Sequence, residues 1–362
     1  MFGFDAKEAL VTHSKKPYNA EPPLERLRAS IVTEHADFYV RSHGNIPVID
    51  AAVHRVTVKG RVGHPLNLSM EDLRRNFAPK TVEAVLQCAG NRRSDMLQVK
   101  PVSGDPWASG AIGNAEWTGA SLAEVLRSAG ADDQPDSHVA FEALDDCDVE
   151  GHQFRYGVSI PIAKAMSPEV LLVYGMNGQP LAPEHGAPVR VIVPGFAGVR
   201  SPKWVAAVIV QDTPSDGFIQ VQDYKLFPPD KTKETANPSE GMTINDMPLN
   251  SAICEPADFA ELKAGKAKVR GWAIATARDV IRVDVSADGG RHWVQAQLEH
   301  DPHAVWSWTF WDAELELSTG EHEIVVRAWD SAGQTQPALP DDTWNFKGYL
   351  AAFWHRIRVQ VQ

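Results

Sequence analysis

The sequence predicts an α+β fold in which a mixed α/β domain is followed by an all-β sandwich. Up to about residue 245, strand-like and helical segments alternate, and loops rich in glycine and proline lie between them. Beyond about residue 250, short strands alternate with turn sequences, and helical periodicity is nearly absent. The length of 362 residues agrees with two domains of ordinary size.

Several segments of the first domain carry recognisable secondary-structure signals. Residues 53–58 alternate in polarity and predict a strand, and residues 81–86 predict a buried one. Ser69, followed by Asp72, predicts the capped start of a helix. Residues 122–126 predict a short amphipathic helix closed by Gly130. The β-branched run 189–193 predicts a further strand, so this domain is mixed α and β.

The second domain is predicted from its strand spacing, which is typical of an immunoglobulin-like sandwich. Eight of the 11 tryptophans lie in this part of the chain. The predicted strands cover residues 268–273, 281–286, 306–311, 323–329 and 355–361. The predicted division of the chain is an N-terminal extension over residues 1–30, a first domain over 31–245 and a second over 246–362.

Composition and charge argue against several classes of protein. With 35 basic and 47 acidic side chains, the formal net charge is −12, which argues against a nucleic-acid partner. The longest apolar runs are far too short to span a membrane. Three cysteines cannot form a disulfide framework. Because the first 23 residues contain no continuous apolar stretch, we expect no signal peptide and a cytoplasmic location.

The most specific segment surrounds Cys88, which stands at the end of a predicted buried strand and is followed by Gly90, Arg92 and Arg93. Neighbouring cations favour the thiolate, which is the form that binds metals. A single thiolate supplies one ligand only, so a metal bound here must bring most of its coordination sphere with it. The alternative for Cys88 alone is a small buried hydrophobic residue.

Four further clusters could carry chemistry, although each alone also fits a turn or a salt-bridged surface. In one of them, glycines flank Arg200 and Lys203, which suits contacts to phosphate oxygens. The clusters cover residues 38–43, 107–117, 184–204 and 223–225.

Taken together, these segments resemble the sulfite oxidase family of molybdenum enzymes. Residues 87–93 are similar to the family's molybdenum-binding motif, and the other clusters occur in the family's order and approximate spacing. The resemblance continues through residues 281–286, 288–290 and 354–356, which fit the family's dimerisation domain. It therefore covers nearly the whole chain from about residue 30.

The resemblance implies a molybdenum cofactor with one pyranopterin. Cys88 would supply the protein thiolate to molybdenum, and the pyranopterin dithiolene and oxo groups would fill the other positions. The residues that align with those holding the pyranopterin and its phosphate, or lie in the same run, are His43, Asp145, His185, Arg190, Ser201 and Lys203.

The resemblance also implies a binding site for sulfite, a pyramidal dianion that needs fixed cations. Arg41 and Arg93 align with the family's substrate arginines, Trp107 with a wall of the pocket, and Tyr224 with an active-site tyrosine. Lys347 stands where the family usually has an arginine, so the charge persists but the bidentate fork is lost. We expect weaker or altered oxyanion binding as a result.

The implied enzyme oxidises sulfite to sulfate by oxygen-atom transfer. The thirty residues before Ile31 are too few for a haem domain, so we expect no haem and an external electron acceptor, either a c-type cytochrome or dioxygen. The second domain would form a homodimer, and neither nucleic acid nor membrane is expected as a partner. The alternatives are a molybdopterin reductase of nitrate or another oxidised anion, and a non-catalytic two-domain binding protein.

Overall fold

The computed structural model describes residues 10–149 and 151–362. Strands dominate these residues, and the α-helices among them are only four to seven residues long. No helix in this part of the chain is long and apolar enough to cross a bilayer. The helices are α1 Leu24–Leu27, α2 Met70–Asn76, α3 Arg93–Met96, α4 Leu122–Ser128 and α5 Ile162–Ala165.

The first domain is built on two main sheets that enclose a large hydrophobic core. Its strands are β1 Val11–Lys15, β2 Tyr18–Glu21, β3 Val40–Arg41, β4 Arg55–Gly60, β5 Leu66–Ser69, β6 Pro79–Gln87, β7 Ile112–Ser121, β8 His138–Val149, β9 His152–Pro161, β10 Leu171–Met176, β11 Gln179–Pro180, β12 Arg190–Ile192, β13 Val205–Gln211, β14 Lys225–Leu226 and β15 Met242–Thr243. One sheet has the order β5-β4-β13-β8-β9, and the other has the order β11-β10-β7-β6 with β12 beside β10. Strands β4 and β13 are parallel. The predicted mixed domain is confirmed.

The helix start predicted at Ser69 and the helix end predicted at Gly130 are both present in the structure. The Ser69 hydroxyl accepts the Asp72 backbone N–H at 3.0 Å, and the Asp72 carboxylate accepts the Ser69 N–H at 2.9 Å. This reciprocal capping box satisfies backbone donors that the first turn of α2 would otherwise leave unpaired. Gly130 has a φ of +65° just after α4, a conformation that favours glycine.

The described part of the predicted N-terminal extension belongs to the first domain. Strands β1 and β2 form a hairpin, and β2 pairs antiparallel with β3, so that Asn19 stands opposite Arg41. Residues 1–9 of the extension lie outside the described residues. Residues 11–21 therefore contribute a sheet to the domain instead of preceding it.

The second domain is a two-layer β-sandwich. Its strands are β16 Asn250–Glu255, β17 Ala260–Leu262, β18 Gly265–Ile274, β19 Val280–Ser286, β20 Val294–Gln295, β21 Gln297–Glu299, β22 Thr309–Leu317, β23 Gly320–Asp330 and β24 His355–Val361. The sheets β16-β18-β22-β21 and β17-β24-β23-β19-β20 share one core, to which both contribute side chains such as Trp311 and Val283. The predicted all-β domain is confirmed.

One predicted strand begins later than expected. Residues 306–308 do not join β22, because the Trp306 carbonyl accepts the Val85 N–H at 3.0 Å and the backbone of Trp306 pairs with β6. A second apolar cluster joins the domains and includes Leu27 and Val85 on one side with Trp272 and Phe310 on the other. The sandwich is thus packed firmly against the strand that leads to Cys88.

Candidate functional site

One cavity brings together most of the predicted site residues. It lies where β3, the end of β6 and the loops around β12 meet. The predicted residues that line it are Arg41, His43, Cys88, Asp145, His185, Arg190, Ser201, Lys203 and Tyr224. Positions far apart in sequence therefore converge, as the resemblance implies.

Cys88 follows the last residue of β6 and is held by backbone contacts on both sides. Its N–H donates to the Ala111 carbonyl at 2.9 Å, and its carbonyl accepts the Asn91 N–H at 3.0 Å. The Gly90 N–H points at the Cys88 sulfur with a separation of 3.4 Å. The side chain is only 5 % exposed and lines the cavity. A buried strand thus delivers one sulfur to the cavity wall.

The strand β3 and the residues after it supply a cation and a histidine. The Arg41 guanidinium donates to the Ser42 carbonyl, and the Ser42 hydroxyl accepts from the Lys203 ammonium at 2.8 Å. Nε2 of His43 lies 2.8 Å from the Tyr224 hydroxyl. Burial, together with Arg41 and Lys203, holds the pKa of His43 well below its usual range. The imidazole is therefore neutral at physiological pH.

The region around β12 supplies two more cations, of which Arg190 is buried and Lys203 is half-buried. Arg190 donates to the His185 and Ser201 carbonyls at 2.9 and 3.1 Å, while its Nε has no partner among the described residues. Burial, together with Arg190, lowers the pKa of Lys203 to about 7. Burial also raises the pKa of Asp145, whose Oδ1 has no partner among the described residues.

Tyr224 lies at the centre of the charged groups, at the end of a π-helical turn over Ile219–Asp223. Burial raises its pKa, while the positive charges of Arg41 and Arg93 act in the opposite direction. Its ring stacks on Tyr349 of the second domain with centroids 4.9 Å apart. A neutral hydroxyl in this position can donate a hydrogen bond to an anion.

Arg93 does not line the cavity but lies beside it, in a narrow sleeve formed by Gly90, Gly104 and Gly348. A Cβ added at Gly90, Gly104 or Gly348 would come within 2.6–2.7 Å of its side chain. Its Nη1 donates to the Asp105 carbonyl at 2.9 Å. Only residues without a Cβ leave enough space for the Arg93 side chain here, and their close approach restricts its position.

Two other predicted substrate residues also lie outside the cavity lining. Trp107 is fully buried, and its ring meets the edge of His13 at a centroid distance of 4.8 Å. Lys347 forms an ion pair with Asp223 at 3.0 Å, which occupies its ammonium next to Tyr224. The structure thus places Lys347 beside the site with a carboxylate partner of its own.

Two arginines suggested by the sequence point away from the cavity. Arg92 donates to Asn250 and to the Phe353 carbonyl at 2.8 and 2.7 Å, and so joins the two domains. Arg200 donates to the Ile244 carbonyl at 2.8 Å. The structure does not place Arg200 among the residues that line the cavity, and Nη2 of its guanidinium has no partner among the described residues.

The acidic residues around Cys147 belong to β8. Alternate residues of a strand face opposite sides, so Asp145 and Cys147 are buried while Asp146 and Asp148 are exposed. This alternation explains why one carboxylate of the acidic run reaches the cavity. Period-two spacing within residues 145–148 was the signal that could have shown it.

The sequence assigned no role to several residues of the site. Tyr39, Ser42, Tyr156 and Glu184 line the cavity, and the Tyr156 hydroxyl donates to the Val199 carbonyl at 2.6 Å. The signal for Ser42 was its place between Arg41 and His43. Tyr39 and Glu184 also lie in segments that the sequence singled out, whereas Tyr156 comes from β9, which carried no such signal.

The cavity fits an anionic group that brings its own metal ligands. No cluster of three or more His, Cys, Asp or Glu side chains suited to a metal occurs within residues 10–149 and 151–362, so Cys88 would supply a single ligand. Nε of Arg190 and Oδ1 of Asp145 are buried without partners among the same residues, and buried polar atoms normally have one. The charges of Arg41, Arg190 and Lys203 in the cavity wall favour a phosphate or another anion. These residues fit a phosphorylated pterin that carries a metal.

Comparisons with known families and proteins agree with this chemistry. The description "Oxidoreductase molybdopterin binding domain" matches residues 43–219, and "Mo-co oxidoreductase dimerisation domain" matches residues 241–362. The chain is 43 % identical to the mitochondrial sulfite oxidase of Homo sapiens, over 98 % of this chain and 66 % of that protein. It is 39 % identical to the sulfite oxidase of Arabidopsis thaliana, over 98 % of this chain and 94 % of that protein.

Two further comparisons give lower sequence identities. A nitrate reductase [NAD(P)H] of Hordeum vulgare is 36 % identical over 96 % of this chain and 41 % of that protein. The crystal structure of the sulfane dehydrogenase SoxCD from Paracoccus pantotrophus superimposes with a TM-score of 0.81 at 24 % identity, covering 99 % of this chain and 91 % of that one. That likeness shows the shared fold.

Proposed function

Because the chain belongs to the sulfite oxidase family of molybdenum oxidoreductases, we propose that it oxidises sulfite to sulfate. The observation that carries the proposal is the cavity in which Cys88 lies with the cations Arg41, Arg190 and Lys203 and with Tyr224. Sulfite and water give sulfate, two protons and two electrons, so the reaction needs both an oxygen donor and an electron acceptor.

Part of the cavity is suited to hold the cofactor. Cys88 would bind the molybdenum, and Arg190 and Lys203 would contact the phosphate of the pyranopterin, with His185, Ser201 and Asp145 around it. When bound, the molybdenum cofactor supplies the oxygen-atom transfer and the two-electron redox change. An anion next to Lys203 would raise its pKa from about 7 and restore its charge.

The remaining cations are suited to bind the substrate. Arg41 lines the cavity, and Arg93 lies close enough to act on the pKa of Tyr224. Two guanidinium groups around a dianion provide charge-assisted hydrogen bonds. The Tyr224 hydroxyl, next to the neutral His43 at 2.8 Å, can donate to an oxygen of the bound anion. Orientation of the anion is therefore the task of these residues.

The partners of the enzyme are part of the same proposal. The first relatives found are longer than this chain, which spans about two thirds of the human protein. We propose that electrons pass to an external acceptor, such as a c-type cytochrome or dioxygen, and that haem is not required. We also propose that the second domain, with an immunoglobulin-like sandwich, forms a homodimer and that the protein acts in the cytoplasm.

The proposal is tested by measuring molybdenum content and sulfite turnover on the same preparation. We expect sulfite-dependent reduction of ferricyanide at a rate proportional to bound molybdenum, and no nitrate reduction with a viologen donor. Bound molybdenum with nitrate reduction alone would favour the nitrate reductase alternative, for which the barley relative is the support. A protein loaded in a molybdenum-replete host that still binds no metal would favour the non-catalytic alternative.

A further inference from the structure

The amide of Asn19 connects the segments that carry Arg41 and Arg93. Asn19 is 2 % exposed. Its Oδ1 accepts the Ser42 N–H at 2.8 Å, and its Nδ2 donates to Oδ2 of Asp105 at 2.8 Å. We propose that Asn19 is a positioning residue that sets the two anion-binding arginines relative to one another. This inference deepens the proposed function and rests on it.

The hydrogen bond from the Ser42 N–H to Oδ1 of Asn19 fixes the backbone next to Arg41. In the β2–β3 pair, Asn19 stands directly opposite Arg41, and its side chain caps the next backbone N–H. Ser42 is also the acceptor for the Lys203 ammonium at 2.8 Å. The Asn19 amide therefore holds the residue that links a substrate cation to a cofactor cation.

The second hydrogen bond of the Asn19 amide fixes Arg93. The Asp105 carboxylate accepts a hydrogen bond from the Asn19 amide. The Asp105 carbonyl accepts one from Nη1 of Arg93 at 2.9 Å. The preceding residue, Gly104, is one wall of the sleeve around that guanidinium, since a Cβ there would lie 2.7 Å from Nη1. A shift of the 104–105 backbone would consequently move Arg93.

Glu21, two residues further along β2, holds the loop that supports Cys88. Its carboxylate accepts the Ala108 and Gly110 N–H groups at 2.7 and 2.9 Å. The next residue, Ala111, accepts the Cys88 N–H at 2.9 Å. One strand outside the cavity thus organises the metal-ligand loop and both arginine segments, and Asn19 is the member whose two bonds face the arginines.

The donor and acceptor of the Asn19 contact can be exchanged. In Asn19→Leu both hydrogen bonds are lost at nearly constant volume, without any change of charge. In the double variant Asn19→Asp/Asp105→Asn, the new amide at position 105 can donate to one carboxylate oxygen at position 19, and the other oxygen still accepts the Ser42 N–H. The net charge of the double variant equals that of the wild type.

The experiment measures the binding of inorganic sulfate by calorimetry and sulfite kinetics on the molybdenum-loaded protein. We expect Asn19→Leu to weaken sulfate binding about tenfold and to raise the KM for sulfite more than it lowers kcat, at unchanged molybdenum content. The double variant should return both constants to within about threefold of the wild type. The matched control is Asn114→Leu, because Asn114 is fully buried and its amide bonds to Ile31, Glu83 and Ser307 instead.

Each outcome bears on the inference. Wild-type sulfate affinity in Asn19→Leu, or an equal loss in Asn114→Leu, would overturn it. If Asn19→Leu does not fold, the double variant decides, since affinity about tenfold below the wild type would overturn the inference and recovery would support it. Sulfate binding that follows these expectations in a protein without sulfite turnover would leave the positioning role standing and remove the proposed function. Wild-type sulfite kinetics in Asn19→Leu would remove the positioning role and leave the proposed function standing.

Discussion

The buried charges of the two domains are balanced in different ways. In the sandwich, the fully buried Asp284 is contacted by Nε of Arg282 at 2.7 Å, by Nε of Arg327 at 3.2 Å and by the Trp329 indole at 3.2 Å. In the cavity, Arg190 keeps an unpartnered Nε among the described residues, and the pKa of Lys203 falls to about 7. The charge of Asp284 is balanced within the sandwich, whereas the cavity contains a buried guanidinium nitrogen without a partner in the described part of the chain and a lysine of lowered pKa, which an anion from outside would complement. This difference separates structural from functional burial.

The largest effect is expected for Arg41→Gln. If the cavity cations bind a dianion, loss of two charge-assisted hydrogen bonds lowers kcat/KM for sulfite by roughly 10²–10⁴-fold. Molybdenum content should stay near normal, because Arg41 is assigned to substrate and not to cofactor. Steady-state kinetics and metal analysis check this, with the exposed Arg155→Gln as control. Wild-type kinetics in Arg41→Gln would remove this residue from the pocket.

The next effect concerns stability in the cofactor-free protein. The pKa of Lys203 is about 7 in the folded state against an ordinary value of 10.5, so between these values the unfolded chain binds more protons and stability rises with pH. Lys203→Met should abolish this rise and stabilise the protein below pH 7 by up to about 5 kcal/mol. Urea unfolding at pH 6 and at pH 10 measures it, with the exposed Lys59→Met as control. A Lys203→Met variant that is less stable than the wild type at pH 6 would contradict the claim that the charge of Lys203 is unbalanced in the cofactor-free protein.

Removal of a charged partner in the sandwich should lower the stability of the protein, which is the opposite of the effect expected for Lys203→Met. Arg327→Met should destabilise the protein by about 2 kcal/mol, since Asp284 stays buried and keeps only Arg282 as its ionic partner. Sulfite turnover per molybdenum should not change. Urea unfolding tests the prediction beside the exposed Arg291→Met. A variant as stable as the wild type would show that the Asp284 cluster does not depend on this pair.

The smallest effect is expected at the boundary between the two regions. Lys347 comes from the second domain and pairs with Asp223, next to Tyr224, at 3.0 Å. Because Lys347→Arg keeps the charge and adds a planar fork, we expect the KM for sulfite to fall by about two- to fivefold with kcat little changed. Initial-rate kinetics measure it. A tenfold rise in KM would mean that the Asp223 pair requires a lysine.

Local signals in the sequence predicted those parts of the molecule that depend on neighbouring residues. The Ser69 and Asp72 cap, the strand that ends at Cys88 and the Arg41 to His43 element are of this kind. The roles of Asn19 and Glu21 were not predictable, because their partners lie more than twenty residues away in sequence. Trp306 left its predicted strand for the same reason, since it pairs with β6 of the other domain. Contacts between distant segments, rather than local propensity, decided these positions.

The most direct test of the account is the number of sulfur ligands around bound molybdenum, measured by X-ray absorption. Cys88→Ser should lose one sulfur ligand and nearly all sulfite oxidation. Cys147→Ser is the matched control, because Cys147 is equally buried but contacts Asp145 and does not line the cavity, and it should match the wild type. An unchanged sulfur count in Cys88→Ser would contradict the assignment of Cys88 as the metal ligand.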